Sequence, residues 1–336
     1  MFLSILLPTY NRKRHITRQL LFILNEINGL SSDVCEVLVS NNASSDETDE
    51  AVKQIKNALG GFSYYTQNEN IGAIANVFFL LRQARGLYVW VLGDDDAVRP
   101  GTVSKVLDVL KQFDPGGVFL ASVWGDEDPE NVDWGLLEDA RGLCIAGVCS
   151  SGLLQYSAEQ LYEISFQRNA CADWLFVSRC IVKRETYLSV IDLPDFKKSS
   201  VFPFFANLFS IRDAQYFIDP QISVYGGKEI SWSFLKYEIQ TCQMLRGILA
   251  SRGLFSKEES EHLLNAFFMY GHWPKVFTLA YFMDRKTKRC LLPFLRLIWK
   301  NGICLRFIKY FAIRSWESIG RRIKLWGDKT EKNTDN

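Results

Sequence analysis

Apolar and polar positions switch between two periods along the first 125 residues. The run FLSILLP (residues 2–8) is short, apolar and stopped by Pro8, as a buried strand would be, and HITRQLLFILNEI (15–27) then carries its apolar residues at helical spacing. VCEVLVS (34–40) reads as a second strand, followed by the helix ETDEAVKQIKNAL (47–59) with Asp46 placed to cap it and acids in its first turn. FSYYTQN (62–68), YVWVLGD (88–94) and GVFLASVW (117–124) read as three more strands. The helices IGAIANVFFLLRQA (71–84) and TVSKVLDVLKQF (102–113), the latter with Thr102 as its N-cap, separate them. Strands recurring with one helix between them predict parallel pairing through right-handed crossovers. The expected fold class is α/β, an open, doubly wound and mostly parallel sheet.

Beyond Trp124 the pattern loosens. Residues 125–142 form an acidic, turn-rich stretch; Ser157 and Gln160 make a capping-box pair at the start of SAEQLYEI; WLFVSRCIV (174–182) and YFIDPQISVYGG (216–227) read as strands. From Lys228 the pattern is helical, so the chain divides into residues 1–226, with 1–110 and 111–226 as its two sides, and a helical region 227–336.

Composition adds an asymmetry. The net charge of +1 hides 19 Lys/Arg against 28 Asp/Glu up to Gly226, and 20 against 10 after it, so the two regions face different partners. The 48% apolar content excludes wholesale disorder. Eight cysteines without a C-x-x-C pair give no zinc spacing and suit reduced core thiols in a cytoplasmic protein. The first residues, MFLSILLPTYNRKR, carry their charges after the apolar run and lack a cleavage site, unlike a signal peptide. No uncharged run reaches the 18 strongly apolar residues of a spanning helix.

The chemistry lies at the strand ends. Open α/β sheets bind ligands outside the carboxyl ends of their strands. Here those ends are PTYNR (8–12), SNNASSD (40–46) and GDDD (93–96), all polar and at one edge. Three adjacent carboxylates behind a buried strand repel one another unless a divalent cation neutralises them, and hard oxygen ligands suit Mg²⁺ or Mn²⁺ shared with substrate phosphates. A helix cap would account for one aspartate of Asp94, Asp95 and Asp96, and accounts poorly for three.

LLPTYNR, LVSNNASSDET, NENIGAIANV and VWVLGDDD, in this order and spacing, resemble the nucleotide-sugar-binding half of family 2 glycosyltransferases of the GT-A fold. The SNNAS, NIGA and LGDDD variants are most similar to bacterial O-antigen sugar transferases of the abequosyltransferase-like branch. The resemblance implies that Pro8, Thr9, Tyr10, Asn11 and Arg12 form the loop under the base and ribose, with Tyr10 stacking on the base and the Thr9 hydroxyl bonding to it. Asn41 stands where family members commonly carry an aspartate that reads uracil or thymine. Its amide both donates and accepts, which leaves cytosine open as well. Asn42 shapes the turn or borders the base; Asn70, Gly72 and Asn76 border the nucleotide. The family's D-x-D pattern falls on Asp94 and Asp96 or on Asp95 and Asp96. All three are candidate metal ligands, with Asp96 common to both registers and Asp94 also a candidate for the ribose.

The same resemblance implies an inverting transfer of a hexosyl or deoxyhexosyl group from a nucleoside-diphosphate sugar to an oligosaccharide acceptor on a polyprenyl diphosphate, in O-antigen or capsule synthesis. Such a displacement needs a general base. The Glu-Asp pair that relatives supply late in the domain has no counterpart between Trp174 and Gly226. Of the acids there and just before, Asp195 and then Asp173 are the preferred candidate bases, with Asp192, Asp213, Asp219 and Glu185 also available. That absence also admits a non-catalytic nucleotide-sugar-binding or scaffold subunit of a polysaccharide assembly complex.

Between Arg285 and Lys324 stand 12 Lys/Arg and one acid, Glu317, interleaved with Leu, Ile, Phe, Tyr and Trp. That is the composition of helices on an anionic membrane surface. It predicts peripheral attachment to a membrane, which the resemblance implies is the inner face of a bacterial inner membrane, with packing against the catalytic domain as the alternative and no nucleic-acid partner.

Overall fold

A computed structural model describes residues 1–125, 127–137, 152–157, 160, 176–192, 215–226, 242, 244–250, 257–270 and 285–314. The chain divides into two compact units, Met1–Ser231 and Trp232–Asn336. The first holds strands β1 (Leu3–Thr9), β2 (Cys35–Asn41), β3 (Ser63–Thr66), β4 (Tyr88–Val91), β5 (Asp96–Val98), β6 (Gly117–Trp124), β7 (Leu154–Ser157), β8 (Cys180–Lys183) and β9 (Gln215–Gly226). Its helices are α1 (Lys13–Glu26), α2 (Thr48–Leu59), α3 (Ala73–Gln83), α4 (Thr102–Phe113) and α5 (Arg184–Ile191). The second unit holds α6 (Met244–Ala250), α7 (Lys257–Tyr270), α8 (Arg285–Lys300) and a further helix over residues 304–314.

The nine strands form one sheet in the order β3-β2-β1-β4-β8-β6-β9-β5, with β7 also on β9. β1 to β4 are parallel, as the pattern predicts. β8 lies antiparallel between β4 and β6, and β9 runs parallel to β6, so the main strands share one direction. Alternate residues serve opposite faces. Leu3, Ile5, Leu7, Val37, Val39, Trp90 and Leu92 join the apolar stripes of α1 and α4 in one core cluster. Leu6, Leu38, Val89 and Val91 are equally buried and alternate with them, and α3 packs on β1 and β2. Both faces are covered, which is why these strands are apolar at nearly every position.

Three local expectations change. WLFVSRCIV does not run as one strand: Val177–Arg179 form a 3-10 turn and β8 starts only at Cys180. Ser178 turns inward to the aspartates and the Arg179 guanidinium donates to the Leu120 carbonyl, which pulls the backbone out of the ladder. Asp96 opens an unforeseen strand, pairing antiparallel with Gly226. Thr102 is the first helical residue of α4 rather than its cap. Gly101, at φ 83°, precedes it and donates its N–H to the Glu26 carboxylate. The capping pair is present, Ser157 and Gln160 bonding reciprocally, and the Asp46 carboxylate accepts from the Thr48 amide.

At the amino ends of the central strands, the buried Glu36 carboxylate accepts from the Ser4 hydroxyl (2.6 Å) and the Arg85 amide (2.7 Å) and guanidinium. Burial pushes its pKa up, but these donors outweigh burial and hold it below the usual range. Gly86 closes against this cluster, its amide donating to Ser4 Oγ; a Cβ there would stand 2.7 Å from both Ser4 N and Tyr88 O. Those neighbours are backbone and cannot yield. Gly86→Ala is therefore expected to destabilise the N-terminal unit by about 1–3 kcal/mol, read as a lower urea midpoint.

Candidate functional site

The parallel register delivers the carboxyl ends of β1, β2 and β4 to one edge, and three loops lock together there. Asn42 N–H donates to the Thr9 carbonyl, Asn11 N–H to Ser44 Oγ (2.8 Å), and Ser45 N–H to Asn11 Oδ1 (2.7 Å). Asn11 and Ala43 sit in the left-handed region, at φ 53° and 57°. Asparagine tolerates that conformation and alanine does not, so the loop contacts must outweigh the strain at Ala43.

The aspartates lie under this clasp. The Thr9 hydroxyl donates to Asp94 Oδ2 at 2.6 Å, and Arg12 Nη1 to Asp94 Oδ1 at 3.2 Å while also pairing with Asp95. Arg18, reaching from α1, donates to the backbone carbonyls of Asp94 (3.2 Å) and Asp96 (2.7 Å). Ser178 Oγ accepts from Gly93 N–H at 2.8 Å and donates to Asp96 Oδ2. Asp94 and Asp96 are each 5% exposed; Asp95 is less buried. Burial, then the charge of Asp95, drives the Asp94 carboxyl up to about 7 and the Asp96 carboxyl up to about 8, against the bonds from Thr9, Arg12 and Ser178.

These carboxyls are hard oxygen donors whose ionisation burial and the charge of Asp95 oppose, and a divalent cation would offset both. Among the described residues no three His, Cys, Asp or Glu side chains converge on one point. The cluster fits a cation held by one or two carboxylates, with substrate phosphates and water completing its shell, as Mg²⁺ and Mn²⁺ accept.

The second set of predicted residues forms its own network. Asn41 is fully buried: its Oδ1 accepts from Ser44 N–H (3.0 Å) and its Nδ2 donates to Tyr64 Oη (3.1 Å), which in turn donates to Asp49 (2.6 Å). Asn42 bonds Asn70 and the Ile71 amide, and Asn70 accepts from Gly72 N–H. Gly72, at φ 85°, opens α3, and Asn76 ties that helix to Ser40 through two bonds. The Asn41 amide expected on a base, and the Thr9 hydroxyl expected beside it, are thus engaged inside the protein. Each was legible as polar at a strand end, and the fold supplies partners that the pattern does not reveal.

Tyr10 is 41% exposed at the rim, while Pro8 sits in the β1 ladder opposite Ser40. Asp173 and Asp195 lie outside the described residues. Sequence reasoning missed Ser178 and Arg18. Ser178 is a serine in an apolar run, and Arg18 reads as the polar face of a helix, so no local signal marks either.

Residues 4–156 match the family model described as Glycosyl transferase family 2. A 99-residue stretch is 34% identical to the abequosyltransferase RfbV of Salmonella typhimurium, covering 29% of each chain. The matches to curated relatives span 29% to 38% of those proteins' lengths. The fold is similar to that of S. aureus TarS (residues 1–349) solved with UDP, at TM-score 0.58 and 16% identity, over 80% of this chain and 71% of that one. It is also similar to the mannosyltransferase PcManGT of Pyrobaculum calidifontis, solved with GDP-Man and Mn²⁺, at TM-score 0.52 and 13% identity, over 94% and 86%. The family 2 resemblance carried by the four motifs holds, and the N-terminal unit has the GT-A fold.

The raised carboxyls carry a pH signature. The folded protein binds these protons more tightly than the unfolded chain. Their stabilisation is therefore complete below about pH 4, the unfolded carboxylate range, and is lost as pH rises toward 8. Asp96→Asn removes one such group while leaving an acceptor for Ser178. In chelator-treated protein its melting temperature is expected to gain steadily on wild type between pH 5 and pH 8.5, measured by thermal melts across that range.

Proposed function

We propose that this protein is a glycosyltransferase that moves a sugar from a nucleoside-diphosphate donor to a saccharide acceptor, with inversion at the anomeric carbon. The observation that carries the reading is the joining of β1 to the aspartates at one sheet edge: Thr9 and Arg12 hold Asp94, and Arg12 also holds Asp95. That edge is where open α/β sheets receive nucleotides, and the family 2 match over residues 4–156 supports it.

In this reading Tyr10, exposed beside the clasp, offers its ring to the base. The loop 41–44 and the start of α3, stiffened by Asn41, Asn42, Asn70, Gly72 and Asn76, form the wall beside it. Asp94, Asp95 and Asp96 would hold a divalent cation, Mn²⁺ or Mg²⁺, which neutralises charge on the diphosphate when bound. Arg12, already paired with two of these carboxylates, supplies a further positive charge at the same place. The acceptor hydroxyl needs a base, and Asp195, or Asp173, is the acid proposed for it. The likeness to an abequosyltransferase is consistent with a saccharide acceptor, and the motif resemblance implies that it is carried on a polyprenyl diphosphate.

Thermal stabilisation by UDP, dTDP, CDP and GDP, each with and without Mn²⁺, tests the reading. One diphosphate is expected to stabilise the protein more with the cation present, and Asp96→Asn to abolish that increment; no nucleotide response at all would overturn the assignment.

Asp195→Asn and Asp173→Asn separate an enzyme from a binding subunit. The variant lacking the base should keep nucleotide stabilisation and lose transfer by roughly 10²-fold or more, followed by product formation.

A further inference from the structure

We propose that the last two described helices form a docking surface for an anionic lipid surface, with Leu292, Trp299, Leu305 and Ile308 entering the interface and Arg296, Lys300 and Lys309 meeting its charge. The proposal rests on the second unit alone and stands apart from the reading of the nucleotide site.

α8 and the helix over 304–314 are joined by a link whose geometry is fixed. Gly302 N–H donates to the Trp299 carbonyl and Ile303 N–H to the Ile298 carbonyl, and Gly302 takes φ 66°, a helix stop that only glycine adopts without strain. The inward side of the pair is accounted for. Phe294 and Ile298 are buried, and the Phe307 ring lies 6.0 Å from Phe294 and 6.4 Å from Phe268 of α7. Arg306 pairs with Glu261, and Arg314 donates to the Met269 carbonyl, so two cations face inward.

The outward side is not what water selects. Trp299 is 80% exposed and Leu305 84%, with Leu292 and Ile308 also well exposed. Single exposed apolar residues are ordinary. These follow helical spacing instead: 292, 296 and 299 share one face of α8, and 305, 308, 309 and 312 share one face of the next helix. The cations on those same faces, Arg296, Lys300 and Lys309, are exposed too. Over residues 285–314 there are nine Lys/Arg and no Asp or Glu.

That charge pattern selects the occupant. A second copy of this face would bring like charges together, which opposes self-association. An anionic leaflet offers the opposite charge together with an apolar layer a few ångströms down, where Leu and Ile bury and Trp sits at headgroup depth. No helix of the described residues is long and apolar enough to cross a membrane, so the pair lies on the surface.

Co-sedimentation of the full-length chain with vesicles of phosphatidylcholine alone, or with 30% phosphatidylglycerol, provides the test. Binding is expected to the anionic vesicles only and to weaken as salt rises from low to about 0.5 M. Replacing Arg296, Lys300 and Lys309 together by Gln should weaken it roughly 10- to 100-fold. Trp299→Ser with Leu305→Ser should also weaken it while leaving the charges, and both variants should melt with wild type because every altered side chain is exposed. Equal binding to neutral vesicles, no binding at low salt, or variants that bind as wild type does would each overturn the proposal. So would concentration-dependent dimerisation abolished by the Trp299/Leu305 change, or binding to duplex nucleic acid that this change leaves intact.

Discussion

Two carboxylates kept out of water at the end of a buried strand constrain everything around them. Asp94 and Asp96 follow β4, whose every residue is buried, and burial alone raises the free energy of their ionised forms. The surrounding structure answers with donors to the carboxylates from Thr9 at the end of β1, Arg12 before α1 and Ser178 before β8, while Arg18 within α1 holds the backbone carbonyls of Asp94 and Asp96. None of these fully offsets burial, since both carboxyls remain far above the ordinary carboxylate range. A site in which burial and neighbouring negative charge oppose ionisation is one that a cation and a polyanionic ligand can complete together, and that links the fold to the proposed chemistry.

The same constraint explains where the backbone departs from regularity. Asn11 and Ala43 adopt left-handed conformations where the first two strands hand over to their loops, and the hydrogen bonds between those loops hold them there. Residues 177–179 leave the extended conformation so that Ser178 can reach Gly93 and Asp96 at once. Strain and irregularity gather at the carboxyl ends of the strands, whereas the amino-terminal ends carry a hydrogen-bonded network of Glu36, Ser4, Arg85 and Gly86 in which even a Cβ at Gly86 would clash.

The second unit follows a different logic. Its aromatic residues Phe268, Phe294 and Phe307 form a local core, and the outward sides of its last helices keep large apolar groups among exposed cations. The charge split between the two regions, visible in the totals, acquires a location only when inward cations such as Arg306 are separated from outward ones such as Lys309.

What the sequence determined by itself was periodic or contiguous. The strands β1 to β4, the four helices among and after them, the capping pair at Ser157 and Gln160, and the aspartate run at the end of β4 all depend on neighbours within a few residues, so local pattern suffices. The tertiary structure decided what depends on distant partners. β8 slips antiparallel between β4 and β6 after a long excursion of the chain, and Asp96 becomes a strand residue only because Gly226 lies beside it. Asn41 reads as a polar residue at a strand end, and only the fold shows that Tyr64 and the Ser44 amide bond its two ends. Ser178 and Arg18 acquire meaning only through carboxylates and carbonyls some 80 residues away. Hydrophobic period records which face is buried; it carries no information about which polar group waits on the other side.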